Sequence, residues 1–373
     1  MKKVILSVAA LFVGALTFAQ FNQSVVLQQG NSNLSSVSQV GLSNNSDVFQ
    51  NGNNNDGTVQ QNGTTNISDL DQIGNGNDYL TTQNGTSNNS NVDQIGDGNQ
   101  GGGASLIWGT RQIGISNTST TLSVGNNNNT GTSQEGNNNI ASIDQLGNLN
   151  VANGGNFGIR QIGNTNNALI QQNGNSNFAT TFQTGVDNQF ITTQTGNDNS
   201  GTSVQTGNRN LGGGPFLLWG IRQFGNNNSA SSSSVGDDNN SGTGQFGDFN
   251  QASITQLGNR NMANGGFFGN YQVGDLNIAA ISQDGDDNYA HNNQQGNSNN
   301  ASTSQTGVFN DSETFQLGDS NGSVVLQNGT TNFSRVFQTG NSNLSSVSQS
   351  GLSHNSLVTQ NGNGNGSVVT QSN

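Results

Sequence analysis

The sequence lacks cysteine altogether, and only 8% of its 373 residues are charged. Without cysteine there are no disulfides, so the fold must be stabilised by other contacts. The charges that exist are mostly acidic: two lysines and six arginines stand against 21 acidic residues, a formal net charge of −13. This excess of negative charge makes nucleic acids and anionic membranes poor partners.

Long hydrophobic runs are also missing, apart from residues 4–18 at the N-terminus. That run follows Lys2 and Lys3 and precedes the small residue Ala19, which is the arrangement of a cleavable secretory signal; it is short for a transmembrane helix. We therefore predict a signal peptide at 1–19 and a secreted repeat domain at 20–373. Cleavage removes both lysines and lowers the net charge to −15.

Hydrophobic residues make up only 28% of the sequence, a composition that alone would indicate disorder. The order of the residues indicates otherwise. The motif Gln-x-Gly-x-x-Asn, as in residues 39–44, recurs with a spacing of eleven residues from Gln28 to Gln371. Of its thirty glutamine positions, 28 hold Gln and two hold serine, Ser123 and Ser234. Such a fixed period is typical of a stacked repeat architecture.

Each repeat unit predicts one β-strand. We number the unit from its Asn: position 3 is small, position 5 is aliphatic or Thr, and position 7 is the Gln, as in residues 33–39. Odd positions share one face of a strand, and this alternation with β-branched residues indicates a half-buried strand. Tyr79 and Phe190 are the large exceptions at position 3. Thr follows each at position 5, which predicts that volume is compensated within the unit.

Four residues separate each Gln from the next Asn, and they include a Gly at position 9 that permits a tight reversal. Two units therefore form a 22-residue rung of two facing strands and two arcs. The predicted fold is all-β, a two-sheet β-solenoid of about fifteen rungs, roughly 70 Å long at a strand spacing of about 4.8 Å.

Stacking of the rungs places each Gln over a Gln and each Asn over an Asn, so the buried amides can bond to one another in ladders. The predicted ladder residues are Gln28, Asn33, Gln39, Asn44, Gln50, Asn55, Gln61, Asn66, Gln145, Asn150, Gln327, Asn332, Gln338, Asn343, Gln349 and Gln360. The predicted turn glycines are Gly30, Gly41, Gly52, Gly63, Gly329, Gly340 and Gly351.

These units resemble the curlin repeat of curli fibre subunits, as residues 139–145 (Asn-Ile-Ala-Ser-Ile-Asp-Gln) show, and the likeness runs from Asn22 to Gln371. The resemblance implies a functional amyloid of biofilm matrix and adhesion, with outer-membrane export and nucleation factors as partners and the ladders as structural positions. Enteric curli subunits have fewer repeats, preceded by a Gly-rich export segment. Here the repeats begin at Asn22, so only residues 21–30 stand where that segment would be. The regularity of the units favours a major subunit over a minor nucleating one.

The residues do not indicate catalysis. The two histidines are His354, in an Asn ladder position, and His291, in an outward position; neither belongs to a nucleophile or metal-ligand pattern. The acidic arcs at 236–239 and 285–288 are alternative calcium sites, but they lack the EF-hand and nonapeptide patterns, and turn formation explains them better. We expect no enzyme activity, no cofactor and no metal.

Four strands contain insertions, marked by residues 101–108, 153–157, 212–219 and 264–268. The second pair follows the first by 111 residues, which indicates a duplication of nine units. Both tryptophans and five of the six arginines lie in or beside these segments. The insertions are either a sticky surface for fibre bundling or glycan contact, or bulges packed back on the sheet; the second interpretation is preferred.

Neither terminal unit, 22–28 or 365–371, resembles a cap, because both follow the interior pattern. Uncapped solenoid ends leave strand edges unpaired. We therefore predict a secreted, extracellular subunit that assembles with itself, end to end, into a fibre. The alternatives are a monomeric β-solenoid adhesin or ligand-binding module and a minor nucleating subunit. An ice-binding solenoid would need a flat Thr-x-Thr array, which the sequence does not have.

Overall fold

The computed structural model describes residues 21–101, 109–153, 157–212, 220–264 and 268–373. The predicted signal peptide lies outside these residues. Within them the chain forms 36 strands, arranged in two parallel sheets of 18 strands each, which confirms the all-β prediction. Among the described segments we find no helix of the length and hydrophobicity needed to cross a membrane.

Successive units alternate between the two sheets. Sheet 1 contains β1 (Gln23–Gln29), β3 (Asn45–Asn53), β5 (Ile67–Asn75), β7 (Asn89–Ile95), β10 (Thr118–Val124), β13 (Ile140–Leu146), β16 (Asn167–Asn173), β18 (Gln189–Thr195), β20 (Leu211–Gly212), β21 (Ile221–Phe224), β23 (Asn240–Ser241), β24 (Thr243–Phe246), β26 (Met262–Ala263), β27 (Asn270–Val273), β29 (Tyr289–Gln295), β31 (Asp311–Leu317), β33 (Phe333–Thr339) and β35 (Asn355–Asn361).

Sheet 2 contains β2 (Leu34–Leu42), β4 (Asp56–Thr64), β6 (Asp78–Thr86), β8 (Gln100–Gly101), β9 (Thr110–Ile115), β11 (Asn129–Thr130), β12 (Thr132–Asn137), β14 (Val151–Ala152), β15 (Ile159–Asn164), β17 (Phe178–Val186), β19 (Ser200–Thr206), β22 (Ser229–Val235), β25 (Gln251–Leu257), β28 (Ile278–Asp284), β30 (Asn300–Val308), β32 (Gly322–Thr330), β34 (Leu344–Leu352) and β36 (Gly366–Ser372).

Each strand pairs in parallel with the strand two units later, and equivalent residues lie side by side. In the pair β2–β4, for example, Ser35 lies beside Gly57 and Gln39 beside Gln61. Both sheets have fifteen levels, because in three levels of each sheet the strand is divided in two. The two-sheet solenoid of about fifteen 22-residue rungs is thereby confirmed.

The core is a thin layer between the sheets, filled by positions 3, 5 and 7. Position 5 supplies its bulk: Val48, Leu70 and Ile143 are completely buried. Position 3 of one sheet lies against position 5 of the other, since a Cβ added to Gly57 would come within 3.1 Å of Leu70 Cδ2. A large residue at both positions would overfill the layer, which explains why the sequence keeps position 3 small.

Tyr79 is accommodated by the next rung rather than within its own unit alone. The ring is buried, and a Cβ added to Gly101 or Gly109 would lie 2.3 or 2.4 Å from its carbon atoms. The Tyr79 hydroxyl also contacts Thr110 Oγ1 at 3.0 Å. The expectation of compensation by Thr81 was therefore incomplete, because most of the space comes from these two glycines.

Phe190 repeats this arrangement. A Cβ added to Gly212 or Gly220 would lie 2.6 or 2.3 Å from its ring. In each case the two glycines flank an insertion of the following rung. The residues that border each insertion are thus the glycines whose missing side chains leave space for the buried aromatic ring.

The insertions divide strands on opposite sheets. The first pair separates β8 from β9 and β14 from β15 in sheet 2, whereas the second pair separates β20 from β21 and β26 from β27 in sheet 1. The duplication explains the exchange: nine is an odd number of units, so each copied unit moves to the other sheet. Residues 102–108, 154–156, 213–219 and 265–267 lie outside the described residues, so both interpretations of the insertions stay predictions.

Candidate functional site: amide ladders and strand edges

The glutamine side chains form a hydrogen-bonded column in each sheet. Gln50 Nε2 donates to Gln72 Oε1 at 2.7 Å and to the carbonyl oxygen of Leu34 at 2.8 Å. The same pattern recurs along both sheets, with Gln–Gln distances of 2.6 to 2.9 Å. Because the second N–H bonds to the backbone of the facing strand, the orientation of each amide is fixed. Every column therefore runs in one direction, from donor to acceptor toward the C-terminus.

The asparagines at position 1 form a second column that joins successive arcs. Asn66 donates its backbone N–H to Asn44 Oδ1 at 3.0 Å and its Nδ2 to the same oxygen at 3.1 Å. The remaining Nδ2 hydrogen reaches the carbonyl oxygen of Gly85 at 2.9 Å. Each asparagine side chain thus hydrogen-bonds to the rung before it and to the rung after it. These bonds connect successive rungs in the arcs, where the chain turns between strands.

The structure places all the predicted ladder residues in these two columns. Interior members are completely or almost completely buried, whereas Gln28, Asn33 and Gln39 of the first rung are exposed or partly exposed. A buried amide is costly unless it is hydrogen-bonded, and the columns supply partners on both sides.

The turn glycines all have positive φ, from 105° at Gly30 to 134° at Gly52. A second constraint is stronger. A Cβ added to Gly41 would lie 1.9 Å from the carbonyl oxygen of Gly63 in the next rung, and the other predicted interior turns are as tight. Only glycine permits this approach, which the backbone-turn reasoning from sequence did not reveal.

A third ladder was missed by sequence reasoning. After every strand of sheet 1, position 10 is Asn or Asp, and its Oδ1 accepts the backbone N–H of the preceding rung at 2.7 to 3.1 Å, as for Asn31 with Asn53 and Asn226 with Asp248. After the strands of sheet 2, position 10 makes the same contacts at Asn137, Asn164, Asn208, Asp237, Asn259 and Asp286, and elsewhere it is Leu, Thr, Ile or Val. The signal was present in the sequence as a Gly-Asn or Gly-Asp pair in every unit of sheet 1. The two arcs of a rung therefore differ toward both ends of the solenoid and are largely alike in its middle.

Residues 318–351, which contain β32, β33 and all but the last residue of β34, match a family model. That model is the curlin associated repeat. The neighbouring rungs repeat its register and its ladders. No curated protein matches the chain.

Two serines, Ser123 and Ser234, interrupt the glutamine columns. At Ser123, Gln145 Oε1 and Ser123 Oγ are both buried without a hydrogen-bond partner. At Ser234, the hydroxyl donates to Gln256 Oε1 at 2.9 Å, so one bond of the column is retained. The two serines are 111 residues apart and are therefore duplicates, one in each sheet.

Charged side chains lie on the outside and are partly paired. Arg209 makes two contacts of 2.7 Å with Asp238, and Arg260 does the same with Asp287. The hydrogen bond from Arg209 lowers the pKa of Asp238. Both acidic arcs considered as calcium sites thus carry a carboxylate engaged by arginine. Among the described residues no cluster of three His, Cys, Asp or Glu side chains suits a metal ion.

The two histidines differ in their surroundings. His291 lies at an outward position, yet it is only 7% exposed because it packs edge-on against Phe315 at 5.3 Å, and burial lowers its pKa to about 4. His354 stands in an Asn column: its backbone N–H donates to Asn332 Oδ1 at 3.1 Å, and Nε2 lies 3.0 Å from the carbonyl oxygen of Ser350.

The terminal rungs follow the interior pattern but pair on one side only within the described residues. At one end β1 and β2 leave Gln28 and Gln39 with Oε1 atoms that accept no Gln side chain. At the other end Gln360 and Gln371 donate Nε2 to backbone oxygens and have no Gln acceptor beyond them. One edge therefore presents acceptors and the other presents donors.

Proposed function

We propose that the chain is a secreted structural subunit that polymerises end to end into an extracellular, curli-like amyloid fibre serving in biofilm matrix and adhesion. The complementary edges carry the proposal: the Nε2 donors of Gln360 and Gln371 meet the Oε1 acceptors of Gln28 and Gln39 in the next copy. β1 belongs to sheet 1 and β36 to sheet 2, so a second copy continues the alternation of sheets without a break.

The curlin associated repeat at 318–351 supports this function, because curli fibres are extracellular assemblies of such repeats. The predicted signal peptide accounts for secretion. Exposed apolar residues of the first rung support it as well: Val26 is an inward position-5 residue, yet it is 47% exposed because its stacking partner on one side is missing. Joining two copies buries it in the same way as the interior valines.

Electron microscopy and fibre diffraction of the incubated mature protein test this function. We expect unbranched fibres with a meridional reflection near 4.8 Å, the spacing of strands stacked along the fibre axis. A protein that stays monomeric at high concentration is a solenoid adhesin or binding module instead.

Val368→Pro tests whether growth is end to end. In the interior, the amide of position 4 donates to position 3 of the next rung, as Gly131 does to Ala152 at 3.0 Å. The amide of Val368, at position 4 of the last strand, therefore faces the free edge, and proline removes it without breaking a bond inside the chain. We expect monomers that fold but elongate poorly, whereas Val368→Ala elongates normally. Equal elongation of both variants contradicts end-to-end growth.

A further inference from the structure

We infer that the outer face of sheet 2 from β17 to β36 pairs fibres side by side, with a second copy of the same face as its partner. This inference rests on the proposed fibre function. The face comprises positions 2, 4 and 6 of nine consecutive strands: β17, β19, β22, β25, β28, β30, β32, β34 and β36. We call it the neutral face.

The neutral face carries no charged side chain. Its outward residues are Ser, Thr, Ala, Gly, Asn, Gln and apolar residues, and the only charge on the nine strands is Asp284, at position 8 beside the arc. The other outer faces carry charges at intervals. Sheet 1 has the carboxylates of Asp47, Asp69 and Asp93 on its first levels and Arg222 in β21, and the first six levels of sheet 2 carry Asp56, Asp78 and Arg160.

Electrostatics therefore selects the neutral face for self-contact. Two copies of the mature chain, each with a net charge of −15, repel each other, and the cost is greatest where carboxylates face carboxylates. Contact through the neutral face keeps the carboxylates of the two copies apart. Apolar side chains are available there for burial: Val204, Ile278, Val324, Leu326 and Leu344 are 40 to 62% exposed.

The neutral face is also uninterrupted. All nine strands are continuous, because the odd-numbered duplication moved the second pair of insertions to sheet 1. Short side chains on continuous, regularly stacked strands form the flat surface that lets two sheets approach to about 10 Å and exclude water, as in a steric zipper. The neutral face of a second copy can pack against the first when a two-fold axis relates the two copies.

The size of the face suits a contact that many subunits share. Nine strands at about 4.8 Å span roughly 43 Å, and positions 2 to 6 span about 13 Å, so the face covers on the order of 560 Å² in each subunit. A standard protein interface buries about 800 Å² on each partner, so one pair of faces alone is a weak contact. In a fibre the same face recurs in every subunit, so many weak contacts act together.

A matched pair of double variants tests this inference. Thr202→Asp with Asn300→Asp places two charges on the neutral face, at positions 4 and 2. The control, Thr120→Asp with Asn167→Asp, places the same two changes at positions 4 and 2 of sheet 1. Within each pair the two residues lie in separate rungs, so the new carboxylates do not stack on each other.

Mass per length of the fibres, from scanning transmission electron microscopy, is the readout. We expect two chains per rise of about 72 Å for the wild type and for the control, and a twofold lower value for the neutral-face variant, with seeded elongation rates equal in all three. If the wild type forms only single fibres, or both variants lose pairing, or neither does, the neutral face is not the contact. If the wild type forms no fibres at all, it is the proposed function that fails.

Discussion

A buried glutamine in an unbroken column of this solenoid uses both its amide oxygen and its amide nitrogen in hydrogen bonds. Gln305 Nε2 donates to the carbonyl oxygen of Tyr289 at 2.7 Å and to Gln327 Oε1 at 2.9 Å, and its Oε1 accepts from Gln283. The side chain is therefore a structural element that a hydrophobic residue of similar size cannot replace, although both would fill the same space.

Replacing Gln305 with Leu should destabilise the monomer by about 3 kcal/mol or more, because it leaves the Gln283 N–H, the Gln327 Oε1 and the Tyr289 carbonyl unpaired, at about 1–3 kcal/mol each. Urea unfolding of freshly prepared monomer measures the effect. Ser302→Ala, on the outward face of the same strand, is the control and should change stability by less than about 0.5 kcal/mol. Equal losses for the two variants would show that the column contributes little.

His354→Asn should strengthen the joint between subunits. Along this column, Asn22 Oδ1 accepts the backbone N–H of Asn44, and most later asparagines accept both the backbone N–H and the side-chain Nδ2 of the asparagine in the next rung. At the contact between two subunits, His354 occupies the column position where an asparagine Oδ1 would accept these hydrogen bonds. Asparagine there restores two hydrogen bonds for each joint, so we expect a critical concentration lower by about tenfold.

The control for this substitution is His354→Leu, which supplies no acceptor and should raise the critical concentration or leave it unchanged. Sedimentation of fibres at equilibrium measures all three proteins. If the asparagine variant polymerises no better than the wild type, the Asn column does not continue through the joint.

Residue types predicted the columns but not every contact within them. Gln and Asn on the same face as Val37 or Val347 required an amide partner, and only stacking supplies one, so the ladders were predictable from sequence. The approach of Gly41 to Gly63, and of Tyr79 to Gly101, depends on distances between rungs. A repeat pattern gives the order of stacking but not the clearance between stacked backbones.

At the scale of the strand, the four acidic residues Asp47, Asp69, Asp71 and Asp93 lie together on the outer face of sheet 1. Register places Asp47 beside Asp69 and Asp71 beside Asp93 in adjacent strands. Partial burial, followed by repulsion from Asp69, Asp93 and Asp47, raises the pKa of Asp71 to about 6. The other side chains facing it, Phe49 and Asn91, carry no charge.

This cluster should make the first rungs more stable in mild acid. The folded-state pKa of Asp71 lies above its unfolded value near 4, so the folded state binds more protons and stability falls as pH rises from about 4 through 6. Asp71→Asn removes this dependence and should stabilise the protein at pH 7 by about 1 kcal/mol, a value reduced by solvent screening of a half-exposed group.

Thermal unfolding of the wild type and Asp71→Asn at pH 4.5 and pH 7 measures this effect. The difference between the proteins isolates the cluster from His291, whose lowered pKa acts in the opposite direction as pH falls. A constant difference at both pH values contradicts the assignment. High salt should shrink the effect, since exposed charges are screened.

The two arcs show what an eleven-residue period conceals. Strand positions 1 to 9 are shared by both sheets, and sequence comparison of single units therefore made them equivalent. Position 10 distinguishes them toward the ends of the solenoid: Asn53 and Asn75 continue a ladder on one side, whereas Leu42 and Thr64 occupy the other. In the middle of the solenoid, Asn137 and Asn164 form the same ladder on that second side. The insertions were evident from the sequence, but the divisions of β11 from β12 and of β23 from β24 were not, because these units keep the ordinary spacing and contain no insertion.

At the scale of the molecule, the parity of the repeat count decides which surfaces coincide. A duplication of nine units exchanges the sheets, so features copied from one face appear on the other, as the strand interruptions and the two column serines do. Thirty is an even number, so the first strand, β1, lies in sheet 1 and the last strand, β36, in sheet 2. In the proposed fibre, the Asn/Asp arcs that follow the strands of sheet 1 therefore stack on one another from subunit to subunit.

Deletions of one rung and of half a rung should therefore differ sharply. Removing the 22 residues 35–56 joins Leu34 to Gly57, position 2 to position 3 of the same sheet, and leaves fourteen whole rungs. Removing only residues 35–45 joins Leu34 to Ser46 and leaves 29 strands. In a fibre of that protein, each copy must be rotated by half a turn about the fibre axis relative to the copy before it. This rotation places the Asn/Asp arc of one copy over the other arc of its neighbour, which interrupts the ladder at every contact between subunits. With wild-type fibres as seeds, we expect the 22-residue deletion to elongate at the wild-type rate and the eleven-residue deletion about tenfold more slowly, since a loss of about 1.4 kcal/mol corresponds to a factor of ten. Fluorescence-monitored seeded growth measures both rates. Identical rates would mean that joints form without matching rungs, and the subunits would then associate laterally rather than end to end.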